Sequence, residues 1–178
     1  GALDLGTTFL VANDTWTGSD AGTTELKTAV KTLGSYTVAN LAGDWELNSI
    51  VSGDGAPWWM RGRMTIGAGG VLSGTFTDNT GASDPVGGSL GVGSDGAVSL
   101  SFAPLAQGWV DAGRTVMVIT NTWGDATPGS TELSVALRMA PSYAPADLAG
   151  TWELHQLATG PGAPWWGRGQ VVIATNGA

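Results

Sequence analysis

The chain has 178 residues, 15 of them acidic and 7 basic, for a net charge of −8; it has 29 glycines and no cysteine. Only 12% of residues are charged and 42% are hydrophobic, which excludes a disordered tail. It also opposes a mostly helical fold, because Lys and Glu favour helices and Gly weakens them. No apolar run reaches the ~18 residues that a membrane helix requires, and the negative charge repels a phosphate backbone, so neither a membrane span nor a nucleic-acid partner is expected.

Few lysines, abundant Gly, Thr and Ser, and no Cys together suggest an extracellular or surface-displayed bacterial protein, for which nothing here demands an oxidising compartment. The dominant feature is an internal repeat. Residues 6–71 laid over 113–178, a displacement of 107 without a gap, give 29 identities in 66 pairs. Leu41-Ala-Gly-Asp-Trp-Glu-Leu47 returns as Leu148-Ala-Gly-Thr-Trp-Glu-Leu154, and Gly55-Ala-Pro-Trp-Trp59 returns as Gly162-Ala-Pro-Trp-Trp166.

In chain order, residues 1–40 read as the C-terminal part of a repeat unit, 41–147 as a complete unit, and 148–178 as the N-terminal part of a further one. A complete unit flanked by two partial ones fits a segment of a longer tandem array, or partial units that complete one another between molecules. Within the complete unit, period-2 alternation marks short strands. Trp45, Leu47 and Val51 share a face; Trp58, Met60, Met64 and Ile66 alternate with Trp59, Arg61, Arg63 and Thr65. Val98, Leu100 and Phe102 fall together, as do Leu133, Val135, Leu137 and Met139, opposite Glu132, Ser134 and Arg138. Gly-rich turns at 67–70, 79–81 and 94–96 separate the runs. Seven or eight antiparallel strands, apolar on one face and wet on the other, predict an all-β meander barrel or sandwich; a β-propeller of two blades per unit is the alternative.

The Gly43-Asp-Trp45 and Gly150-Thr-Trp152 openings resemble the first strand of the calycin barrels, the lipocalins and avidins, with its Gly-x-Trp motif. Met64-Thr-Ile-Gly-Ala-Gly-Gly-Val-Leu-Ser-Gly-Thr-Phe76 is similar to the avidin pattern of strand, Gly turn and strand. The resemblance implies an up-and-down barrel whose Trp closes one end beneath a basic side chain of the last strand, here Arg138; no ligand is carried over. The chain also resembles tandem arrays of large secreted bacterial proteins. Trp45, Trp152, Trp58, Trp165 and Arg138 are thus expected to be structural.

In Pro57-Trp-Trp-x-Arg-Gly62 and Pro164-Trp-Trp-x-Arg-Gly169, adjacent strand residues point to opposite faces. That places Trp58 and Trp165 inside, and Trp59 and Trp166 outside beside Arg61 and Arg168. An exposed indole next to a guanidinium can stack on a sugar or a neighbouring protein, or simply shield the sheet. His155, the one histidine, has Asn48 as its counterpart and reads as a surface residue. The acidic turns at 14–20 and 78–84 fit turn chemistry better than Ca²⁺ ligation. Gly87-Gly-Ser-Leu-Gly91 has the Gly-x-Ser-x-Gly spacing, but the stretch to Gly93 follows strand rhythm and lacks a helix start, and there is no phosphate loop or Cys/His cluster, so no catalytic, cofactor or metal residue is expected. The sequence thus leads to a non-enzymatic extracellular structural or adhesive repeat protein, partnered by its own copies or adjoining repeats, whose filament or surface array strand exchange would complete. The alternative is a lectin-like, carbohydrate-binding or small-ligand-binding β module.

Overall fold

The computed structural model describes residues 2–3, 8–15, 23–32, 34–53, 57–123, 129–159 and 165–176. They form fourteen strands: β1 (Ala2–Leu3), β2 (Phe9–Thr15), β3 (Thr24–Val30), β4 (Gly43–Ser52), β5 (Trp58–Ile66), β6 (Leu72–Asp78), β7 (Ser83–Val86), β8 (Leu90–Val92), β9 (Ala97–Leu100), β10 (Ala103–Val110), β11 (Val116–Thr122), β12 (Thr131–Arg138), β13 (Gly150–Ala158) and β14 (Trp165–Ile173). Single 3-10 turns at Val38–Leu41 and Pro145–Leu148 precede β4 and β13. The protein is all-β.

Two compact units emerge, residues 5–9 with 30–139 and residues 1–4 with 10–29 and 140–178. These differ from the sequence divisions at 40 and 147, for two reasons. Thr8 Oγ1 donates to Asp111 and Lys31 N to Thr8 O, tying Thr8 and the segment after β3 to the larger unit. Tyr36, only 4% exposed, packs into the same core.

In the larger unit β4 to β12 form one antiparallel sheet in which the last strand, β12, pairs with the first, β4. The margins of this curled sheet meet. β7 and β8 are two parts of one passage along β6, with Gly74 opposite Val86 and Val71 opposite Ser89 in unbroken register. Leu72 N donates to Gly88 O and Leu90 N to Gly70 O, after which β8 turns to pair with β9. Gly88 makes the kink at φ 100°, a conformation that a side chain would disfavour. The result is a barrel of eight passages rather than a sandwich or propeller blades, a size whose interior just suffices for side chains or one small ligand.

One end is closed. Trp45 and Leu41 are fully buried there with Ile66, Leu72, Leu90, Val98, Val110, Met117 and Ala136, and Trp45 Nε1 donates to Leu41 O at 2.9 Å. Burying an aromatic side chain of this size is among the largest single contributions to a core, about 3 kcal/mol on area grounds.

The smaller unit comprises the antiparallel sheet β1-β2-β3 and the hairpin β13-β14. Its elements reproduce their counterparts at the same displacement of 107: β2 matches β11 and β14 matches β5 residue for residue. Gly43 and Gly150 share a positive φ, 130° and 140°, and Trp152 Nε1 donates to Leu148 O at 2.7 Å just as Trp45 does to Leu41 O.

Candidate functional site

The candidate site is the interior of the barrel at the end opposite Trp45. One cavity of ≈ 380 Å³ is lined by Leu47, Met60, Phe76, Leu100, Ile119, Asn121, Trp123, Glu132 and Ser134, among others. A second of ≈ 690 Å³ shares Met60, Phe76, Phe102 and Trp123 and reaches the rim at Trp58, Asp78 and Asp84. Volumes of a few hundred Å³, mostly apolar with a few convergent polar groups, are typical of small-molecule pockets.

The polar groups form one network. Glu132, 8% exposed, accepts from Ser134 Oγ at 2.7 Å on one carboxylate oxygen. Its other oxygen takes Trp123 Nε1 at 3.1 Å and Asn121 Nδ2 at 3.4 Å. Ser134 Oγ is itself hydrogen-bonded to Ser49 Oγ; because Ser134 gives its proton to Glu132, Ser49 is the donor in that pair. Three neutral groups thus donate to one carboxylate, with Ser49 behind Ser134, and among the described residues no Lys, Arg or His lies within ion-pair distance of it. Above it Trp58 and Trp123 meet edge to face, ring centres 5.7 Å apart at 64°.

The Glu132 network corrects the expected faces of β12. Leu133, Val135 and Leu137 lie outside, Leu137 at 46% exposure, while Glu132, Ser134 and Ala136 are buried within. Pairing of β12 with both β4 and β11 fixes this parity, and the hydrogen bonds satisfy what burial would otherwise penalise.

The other expected site residues fall as follows. Trp59 is 42% exposed on the outer face with Arg61 Cζ 5.7 Å from its ring centre, and Trp58 is half-buried inside. In the second copy the order reverses: Trp165 is 54% exposed, while Trp166 is half-buried because β2 lies on that face and Thr15 Oγ1 accepts from its Nε1 at 2.6 Å. Asn13 of the same strand donates to Gly167 O at 3.0 Å and meets His155 Nδ1 at 3.2 Å, and Arg168 remains exposed. Pro164 lies outside the described residues. Arg138 Cζ sits 6.0 Å from the ring centre of Trp45, whereas Trp152 is 48% exposed. The turn after β6 is organised by Asp78, whose carboxylate accepts from Thr80 Oγ1 and from the N–H groups of Thr80 and Ala82. These bonds, that from the Thr80 hydroxyl foremost, hold its carboxyl below the usual Asp range. Among the described residues no three His, Cys, Asp or Glu side chains are grouped to hold a metal ion.

No family model and no curated protein matches the chain. Among solved structures it is similar to a protein of unknown function from the DUF3598 family of Nostoc punctiforme, with 12% identity and a TM-score of 0.42 over 65% of this chain. The match spans 56% of that protein's length. Among the described residues no helix is long and apolar enough to cross a membrane.

Sequence reading did not single out Glu132, Asn121, Trp123, Ser134 or Ser49 as a site. The available signal was Glu132 itself, one of two acids identical in both copies, the other pair being Glu46 and Glu153.

Proposed function

We propose that the barrel of residues 43–138 is a non-enzymatic binding module for a small, largely apolar ligand, on an extracellular protein. The carrying observation is the ≈ 380 Å³ cavity in which aromatic and aliphatic walls converge on the Glu132 network. A ligand entering between Trp58, Phe102 and Trp123 buries its apolar body and meets one hydrogen-bonding centre at depth. The calycin likeness of Gly43-Asp-Trp45, with Arg138 over the Trp, supports the same reading of the barrel.

The test is binding of an environment-sensitive apolar dye to the full chain. Dye should bind saturably near one per chain, and Met60→Trp, which fills the cavity, should abolish this with little change in the strand spectrum. Binding that persists in Met60→Trp would place the dye elsewhere and defeat the reading.

A structural or adhesive role for a repeat array is favoured by a separate observation, the outer face with Trp59 beside Arg61 and Trp109 at 44% exposure. Glycan arrays and sedimentation of wild type against Trp59→Ala test it. Neither glycan binding nor self-association in the wild type would remove that role.

A further inference from the structure

The two copies of the repeat differ at the site in a way that identifies the chemistry of the ligand. Displacing Asn121, Glu132 and Ser134 by 107 positions gives Asp14, Glu25 and Lys27. On β2 and β3 those three side chains come together: Lys27 Nζ stands 3.1 Å from Glu25 and 3.7 Å from Asp14. One copy therefore carries its own primary ammonium against the carboxylate. In the barrel the lysine is replaced by Ser134, too short to bring a charge, and the same carboxylate faces a cavity.

The surroundings of Glu132 agree. Among the described residues, the walls of the two adjoining cavities include Glu132, Asp78 and Asp84 and no Lys, Arg or His. Neutral donors stabilise a carboxylate without cancelling its charge, and in a poorly solvated cavity an uncompensated charge attracts a counter-ion more strongly than it would in water. Trp58 and Trp123 add ring faces of the kind that attract cations.

We infer that the barrel binds an organic primary amine, its ammonium ion-paired with Glu132 in the place that Lys27 Nζ occupies against Glu25, and its apolar body among Trp58, Phe76 and Trp123. This rests on the reading of the cavity as a ligand site and adds the class of ligand.

The experiment compares 2-phenylethylamine with its neutral near-isostere 2-phenylethanol on the full chain at pH 7, by NMR titration of the indole N–H signals. The amine is expected to bind at least tenfold more tightly. Glu132→Gln keeps shape and should bring the two affinities together by weakening the amine alone. Ser134→Lys supplies the internal ammonium of the other copy and should abolish amine binding in a folded protein. Equal affinities in the wild type, or an unchanged amine affinity in Glu132→Gln with alcohol binding intact, overturn the amine assignment and leave the ligand cavity standing. Failure of both compounds to bind wild type overturns the cavity reading, and the amine assignment with it.

Discussion

Arg138 spans the closed end of the barrel over Trp45, its Nη1 donating to Asn40 O at 3.1 Å and its Nη2 to Ala42 O at 2.6 Å. One side chain of the last strand thereby clamps the 3-10 turn that introduces the first, covering a Trp that is fully buried. A guanidinium donating to carbonyls makes bonds of ~1.5–3 kcal/mol each where shielded, and less where water competes. Arg138→Ala should therefore cost about 2 kcal/mol in denaturant unfolding. Arg138→Lys should recover only part of it, because an ammonium cannot bridge two carbonyls in a plane.

Trp45 and Trp152 occupy equivalent positions and make the same bond to the preceding Leu carbonyl, yet one is 0% and the other 48% exposed. Trp45→Ala should lose about 3–5 kcal/mol as a large core deletion. Trp152→Ala should lose under about 1 kcal/mol. Urea unfolding followed by circular dichroism separates the two.

Asp111 is fully buried and accepts from Thr8 Oγ1 at 2.7 Å, Thr115 N at 2.7 Å, Val116 N at 2.8 Å and Gly113 N at 3.0 Å. Asp111→Ala leaves those N–H donors without their acceptor and should cost at least about 3 kcal/mol. Thr8→Ala removes only one of the bonds and should cost about 1 kcal/mol, with faster amide exchange of Lys31, whose N–H bonds to Thr8 O.

Asp78 gives the pH dependence of the rim. Its carboxyl titrates below the usual Asp range in the fold because Thr80 and Ala82 donate to the charged form. A depressed folded-state value means that the contribution is fully present above the unfolded value and is lost as pH falls through the folded one. The turn should loosen only in that acid range. The amide shifts of Thr80 and Ala82 should follow the titration together, and Asp78→Asn should remove it.

The all-β class, the turns and the inner faces of β4 and β5 were legible in alternation, because there the buried positions are the apolar ones, Ser49 of β4 excepted. β12 was misread for the same reason. Leu133, Val135 and Leu137 outweigh Glu132 and Ser134 in any hydrophobic pattern, and only the cross-strand partners Ser49, Asn121 and Trp123 reveal that the polar positions face inward with their bonds made. Trp166 was illegible for another reason: the acceptor that covers it, Thr15, lies 151 positions away. The identity of Glu25 with Glu132 was visible, but its meaning depended on Lys27 against Ser134, a difference that gains significance once β2 and β3 are seen to hold the ammonium between carboxylates.

The most direct test of the barrel as a ligand site is a ¹⁵N-indole NMR titration of the full chain with 2-phenylethanol. The account predicts saturable shifts of the Trp58 and Trp123 Nε1–H signals, with Trp45 and Trp59 unmoved. Absence of a saturable shift at Trp123, or a response confined to Trp59 on the outer face, would contradict it.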